Sequence, residues 1–233
     1  MEDLIKKCQR RIKKSLIDGF EYNHLVIARS NKFLREHESE RLPMFVLYVD
    51  LVGSTKMSSE LDPKIFNIVI RTFSQEMSYV IEQYDGYVLK FVGDAVLGYF
   101  LADKSPHQIA NKIVDCAKTM QKVIEKGINP VLEEENYPEL FVKITIDFGN
   151  CSIVRYGSDN LRSHIDIIGL TLNLAAKMQQ ITEPGHITIR EYVYCKLSAK
   201  FKMLFKKVKT EPNSWKYHEL KRKNVYTIYV NPF

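Results

Sequence analysis

The segment MFVLYVDLV, residues 44–52, constrains this chain more than any other stretch. It is rich in β-branched and aromatic residues and apolar at odd and even positions alike. It is also too short for a helix, so it reads as a strand buried on both faces near the middle of a sheet. Arg41-Leu42-Pro43 ends the helical pattern before it, because proline cannot continue an α-helix. The run closes on an acid, Asp50, where apolar residues give way to Gly53-Ser54-Thr55. A carboxylate at that point is badly solvated unless it caps a helix or meets a cation.

A second acid repeats the arrangement. After the turn signal Asp85-Gly86, the runs YVLKFV and AVLGYF flank Gly93-Asp94 in the pattern of a β-hairpin with a carboxylate at its tip. Two such acids suggest one site. Carboxylates sharing a pocket repel each other, and a hard divalent ion bound through oxygen resolves the conflict. Magnesium suits this, since it takes one or two carboxylates and leaves room for phosphate oxygens. The turn beside Asp50 would offer backbone N–H groups and hydroxyls to phosphates if it opens a helix.

The remaining pattern predicts an α+β protein. With 45% hydrophobic and 27% charged residues, a chain of 233 can bury a real core as one domain. Helices are expected over residues 4–36, with Gly19 a break point, from Asp62-Pro63 to about Glu82, and from Ser105-Pro106 to about Lys126. A polar, acidic loop should span 129–139, followed by the strands LFVKITIDFG and CSIVRYG. A short strand at HIDIIG, a helix at LNLAAKMQQ and the strand HITI come next, and one helix with two or three strands is expected after Tyr192. The alternation within these strands favours a mostly antiparallel sheet.

No apolar run nears the roughly 18 residues of a membrane helix, and MEDLIKKCQRRIKK lacks a signal-peptide apolar region, so a cytoplasmic location is expected. Cys8, Cys116, Cys151 and Cys195 form no CxxC pair, and His107, His164, His186 and His218 have no ligand spacing; all read as structural. The net charge of +6 gathers at both ends, where it would attract any polyanion and so does not choose among them.

Three motifs in register do choose. YVDLVGSTKMS, DGYVLKFVGDAVLGYF and HIDIIGLTLNLAAKMQ together resemble the catalytic domain of class III adenylyl and guanylyl cyclases, over about Met44 to Ile189. The resemblance implies a ferredoxin-like core, a mostly antiparallel sheet flanked by helices, and a head-to-tail homodimer with shared sites. Residues 1–41 would form an N-terminal helical segment, best suited to packing against a partner, and 42–233 the catalytic domain. Asp50 and Asp94 would hold two divalent ions, Mg2+ or Mn2+, with the Leu51 carbonyl in the shell and Val52, Gly53, Ser54 and Thr55 at the phosphates.

Base choice in that family falls to the positions of Lys90 and Asp166, and their chemistry reads adenine. A lysine donates to ring N1 and a carboxylate accepts from the exocyclic amine. Guanylyl members carry glutamate and a small residue such as cysteine there. Asn173 would orient the ribose. Lys177 stands where the family has an arginine for the transferring phosphate; it keeps the charge without the planar fork, which implies slower turnover. Lys221, in Lys221-Arg222-Lys223 before VYTIYV, matches a triphosphate-binding lysine or belongs to a solvated basic face. The implied reaction converts ATP to cyclic AMP and pyrophosphate. The alternatives are a cyclase for GTP or a pyrimidine triphosphate, or a catalytically weak nucleotide-binding homologue. No specific nucleic-acid partner is expected, and contact of the basic N-terminal segment with a membrane surface is a minor alternative.

Overall fold

In the computed structural model, which describes residues 1–19, 25–102, 105–157, 163–208, 215–217 and 225–232, the apolar run forms β1, Arg41–Leu51. This strand is paired on both sides, antiparallel to β3 (Ala95–Leu101) and antiparallel to β4 (Val142–Tyr156). Its alternate residues enter two cores. Phe45, Leu47, Val49 and Leu51 join one, Met44 and Val46 the other, each 2% exposed or less. Burying each such side chain contributes about 1.5–3 kcal/mol, so a strand covered on both faces has its register fixed.

The sheet runs β2-β3-β1-β4-β6-β8-β7, with β5 paired to the far end of β4. Here β2 is Tyr87–Val92, β5 His164–Ile168, β6 Ile187–Arg190, β7 Lys206–Lys207 and β8 Ile228–Asn231. Every pairing among these strands is antiparallel except β4 with β6. One face carries α1 (Glu2–Asp18), α4 (Pro63–Gln83), α5 (Pro106–Val123), α6 (Asn129–Glu134), α8 (Glu191–Tyr194) and α9 (Ala199–Lys202). The opposite face carries α2 (Leu25–Glu36) and α7 (Leu170–Met178), while α3 (Ser54–Glu60) follows β1. This is the α+β architecture expected, with a mostly antiparallel sheet flanked by helices. None of the described helices is long and apolar enough to cross a membrane.

Five local expectations are corrected. The helical stretch 4–36 is two helices on opposite faces of the sheet, with residues 20–24 outside the described part. Pro43 lies inside β1, where its carbonyl accepts from Ala102 N at 3.1 Å. The acidic stretch after Lys126 is not all loop. A π-helical turn, Ile124–Ile128, carries α5 into α6, where Pro130 sits in the first turn and gives up no intrahelical hydrogen bond. Residues 142–156 form one strand, not two, because Gly149 pairs with Met44 without a break. A Cβ at Gly149 would stand 2.4 Å from Thr171 Oγ1, so glycine is needed there for the close approach of α7. The C-terminal part has two short helices where one was expected, with two strands among its described residues.

The N-terminal helices are held by specific contacts. Cys8 and Ile12 of α1 are buried, and a Cβ at Gly127 would meet Cys8 Sγ at 2.8 Å, so the π-helical turn can lie directly against α1. Arg11 donates through Nε to Glu76 Oε1 at 2.9 Å and through Nη2 to Oε2, and stacks on Tyr79. On the other face, Arg29 of α2 lies 4.3 Å above the Tyr87 ring, and Ser30 Oγ donates to the Tyr99 hydroxyl at 3.2 Å. Arg11→Met should lower the unfolding free energy by about 2–3 kcal/mol, because Glu76 is left buried without its counter-charge while Arg11 was only partly desolvated. Urea denaturation measures the loss, adding Glu76→Gln should recover part of it, and a stability equal to wild type would contradict the role given to this pair.

Candidate active site

Asp50 stands at the next-to-last position of β1, opposite Ala95 on one neighbour and Lys143 on the other. Asp94 precedes Ala95 and lies in the two-residue hairpin between β2 and β3, where Gly93 adopts φ +60°. Such a turn needs a positive φ at its first central residue, which glycine adopts at no steric cost. Register therefore sets the two carboxylates side by side. Burial, and then the charge of Asp94, push the Asp50 carboxyl from 3.8 up to about 6, with Lys143 opposing.

The chain after Asp50 turns sharply. Leu51 is buried, Val52 N donates to Phe141 O at 2.9 Å, and Gly53 takes φ +75° before Ser54 and Thr55 open α3. The opening amides of α3 have no acceptors within their own helix. Val52, Gly53, Ser54 and Thr55 thus form the turn that leads from the end of β1 into α3.

Lys90 and Asp166 also meet. Lys90 Nζ, on β2, donates to Asp166 Oδ2, on β5, and Asp166 Oδ1 accepts from Ile167 N at 2.9 Å. The carboxylate is 11% exposed and the ammonium 34%. Tyr48, two residues before Asp50 on β1, lies near enough that burial, and then the Asp166 charge, push its phenol up to about 12. Sequence reasoning passed over Tyr48, although the same-face spacing from Asp50 marks it.

Asn173 and Lys177 lie one turn apart on the exposed side of α7. Lys177 has no ion-pair partner among the described residues. Two tethers hold α7 to the sheet. Thr145 Oγ1 donates to Ala175 O at 2.8 Å, and Gln179 Nε2 reaches Tyr48 O at 3.2 Å, Lys143 O at 3.3 Å and Thr145 Oγ1 at 3.3 Å. No sequence signal distinguished Gln179 from its neighbour Gln180. Lys221 lies outside the described residues.

Asp50 and Asp94 suit a hard divalent cation: two oxygen donors in mutual repulsion, partly desolvated, and opposed by a single lysine. Among the described residues, no group of three or more His, Cys, Asp and Glu could hold a metal. A cation here would leave most of its shell to main-chain carbonyls, water and phosphate oxygens.

Comparison with known proteins adds to this geometry. A model of the adenylate and guanylate cyclase catalytic domain matches residues 38–230. A uridylate cyclase from Rhodovulum sp. (strain MB263) is 28% identical over 151 residues, covering 61% of this chain and 60% of the relative. A cytidylate cyclase from Staphylococcus aureus is 28% identical over 185 residues, covering 77% of this chain and 43% of the relative. The chain thus spans less than two thirds of the length of either. Among solved structures, the guanylyl cyclase Cya2 superposes with a TM-score of 0.68 at 23% identity, over 83% of this chain and 93% of that one. The adenylyl cyclase CyaB from P. aeruginosa does so with a TM-score of 0.65 at 24% identity, over 82% and 94%.

The raised pKa of Asp50 gives a test with a defined sign. The folded state holds that proton more tightly, so the stability it contributes is complete below 3.8 and is lost as pH rises through about 6. Metal-free Asp50→Asn should therefore melt higher than wild type at neutral pH, with the gap narrowing as pH falls toward 3.8. Calorimetry across that range is the measurement; a gap independent of pH would contradict the upward shift that burial and Asp94 give to Asp50.

Proposed function

Since the chain belongs to the adenylate and guanylate cyclase catalytic domain family, we propose that it converts a nucleoside triphosphate to its 3′,5′-cyclic monophosphate. The observation that carries the base preference is the Lys90–Asp166 pair. An ammonium donor beside a carboxylate acceptor matches a base edge with a ring-nitrogen acceptor next to an exocyclic amine. Adenine offers N1 and N6 in this way, which supports ATP as a substrate. Cytosine offers N3 and N4 in the same order, which supports CTP as well; the relatives named as a cytidylate and a uridylate cyclase divide between the two readings, so the side-chain pair carries the preference. Guanine and uracil present the reverse, a ring N–H beside a carbonyl, and would leave both side chains facing like groups.

In the reaction the ribose 3′-oxygen attacks the α-phosphorus, the bond from that phosphorus to the bridging oxygen of the β-phosphate breaks, and pyrophosphate leaves. The 3′-hydroxyl proton passes to water. Two divalent cations, Mg2+ or Mn2+, held by Asp50 and Asp94 would lower the hydroxyl pKa and bind the triphosphate. The opening amides of α3 and the hydroxyls of Ser54 and Thr55 bind phosphate oxygens. Asn173 positions the ribose through its amide, and Lys177 meets the charge on the transferring phosphate as a point charge.

The proposed assembly is a homodimer in which one copy gives Asp50 and Asp94 and the other gives Lys90, Asp166, Asn173 and Lys177. Uncovered apolar side chains beside both groups support it. Phe91 and Val92 at the hairpin tip are 43% and 50% exposed, and Ile168 and Leu170 between β5 and α7 are 43% and 50% exposed.

Purified protein with Mn2+ and each of ATP, CTP, GTP and UTP tests the base reading. ATP or CTP should turn over roughly 10-fold or more faster than GTP and UTP, the discrimination that a good two-point contact provides. Turnover led by GTP or UTP would remove the assigned role from Lys90 and Asp166, and nucleotide binding with no pyrophosphate released would favour a non-catalytic module. Lys177→Ala should lower kcat by about 10²–10³-fold, as loss of one charge-stabilising donor does, while Lys177→Arg should keep or raise it. Mixing Lys177→Ala with Asp50→Ala should restore part of the activity through mixed dimers; no recovery once mixed dimers are shown to form would refute shared sites.

A further inference from the structure

The family match begins at residue 38, so α2, Leu25–Glu36, lies before it. The helix nevertheless touches the chain at the start of both strands that carry the base-reading pair. From its second turn, Arg29 Nη1 donates to Gly86 O at a long 3.4 Å, and the guanidinium covers the Tyr87 ring at 4.3 Å. Tyr87 opens β2, three residues before Lys90. From its last turn, Arg35 Nη2 donates to Ser163 O at 2.8 Å. Ser163 directly precedes β5 and stands three residues before Asp166. It is gripped again by Arg155 of β4, whose Nη1 meets Glu38, just beyond α2, at 3.1 Å.

These two strands are not neighbours. β3, β1 and β4 stand between β2 and β5 in the hydrogen-bonded order, so no ladder sets the gap that Lys90 and Asp166 close. β2 is also an edge strand, and its pairing with β3 shifts between Val88 and Lys90. Such an irregularity re-aims a side chain, here bringing Lys90 opposite Leu97, and it interrupts the local ladder. A partly exposed ion pair contributes too little to hold two strands by itself. α2 does span the gap. Arg29 and Arg35 stand about 9 Å apart along its axis, at 1.5 Å per residue. Between them Ser30 donates to the Tyr99 hydroxyl at 3.2 Å, the Phe33 ring lies 5.3 Å from that of Tyr87, and Leu34 is fully buried.

We propose that α2 is a positioning element for base recognition: Arg29 and Arg35 brace β2 against β5 and so set the distance between Lys90 and Asp166 that a base edge reads. The proposal rests on the reading of that pair as the base contact. It makes a helix outside the family match part of substrate selectivity, acting only through the two strands it holds.

Arg29→Met/Arg35→Met keeps most of the length of both side chains and removes their N–H groups; both arginines are exposed, so the double variant keeps its fold. Without nucleotide, hydrogen exchange at the Ile167 amide, which donates to Asp166 Oδ1 at 2.9 Å, should quicken roughly 5-fold, as the loss of about one local hydrogen bond allows. Exchange at the Ile144 amide, bonded to His186 O at 3.1 Å in the middle of the sheet, should not change. With Mn2+ and each triphosphate, KM for ATP or CTP should rise roughly 5- to 10-fold at a kcat within about twofold of wild type, narrowing the margin over GTP and UTP. Arg35→Lys, which still donates to Ser163 O, and Lys32→Gln, at a side chain 79% exposed on the same helix, should match wild type in both assays. Unchanged exchange at Ile167, or an equal rise at Ile167 and Ile144, would overturn the brace. Quickened exchange at Ile167 alone with an unaltered base margin would overturn its link to selectivity. A wild-type chain that turns over no triphosphate would sink the cyclase reading and the selectivity claim with it, while the exchange rates still decide the brace.

Discussion

The register of β1 between β3 and β4 is the constraint on which the rest depends. It pairs Asp50 with Ala95 on one side and Lys143 on the other, and so brings the hairpin acid Asp94 next to it. A slip of one residue would exchange the two cores and turn Asp50 to the other face. Phe45, Leu47 and Val49 on one side, with Met44 and Val46 on the other, make that slip prohibitive. The same apolar burial that stabilises the sheet thus holds two like charges together.

The two charged pairs on this sheet are opposites in kind. Lys90 and Asp166 neutralise each other and can rest partly desolvated in that state. Asp50 and Asp94 do not: burial, and then the charge of Asp94, raise the Asp50 carboxyl above its ordinary range. In the proposed reaction this contrast divides the work: the like-charged pair would draw cations and the polyphosphate that travels with them, and the neutralised pair would offer a donor and an acceptor to a flat base edge.

Much of this was legible in the sequence. The run at 44–52, the hairpin around Gly93-Asp94 and the start of α4 are each set by local chemistry, the last by Asp62 Oδ1 accepting from Lys64 N at 2.8 Å. What was not legible depends on neighbours remote in sequence. Gly149 looked like a break between strands, but it answers to Thr171 on α7. The acidic residues after Lys126 looked like a solvated loop because nothing in them reveals that α1 packs on Gly127. Tyr48 and Gln179 join the candidate site only through the fold, by alternation on β1 and by the reach of α7 to its carbonyls. Adenine was read from Lys90 and Asp166, but a lysine and a carboxylate read an amine and a ring nitrogen without measuring the size of the base.

Gln179 joins two parts of the chain that the proposed dimer assigns to different sites. Its amide binds the carbonyls of Tyr48 and Lys143, beside Asp50, from the end of the helix that carries Lys177. In a dimer built on shared sites, these elements face opposite clefts. A nucleotide that drew Lys177 inward at one cleft would pull, through this amide, on the strand bearing the acids of the other. The two clefts of such a dimer would then share a mechanical link through a single amide.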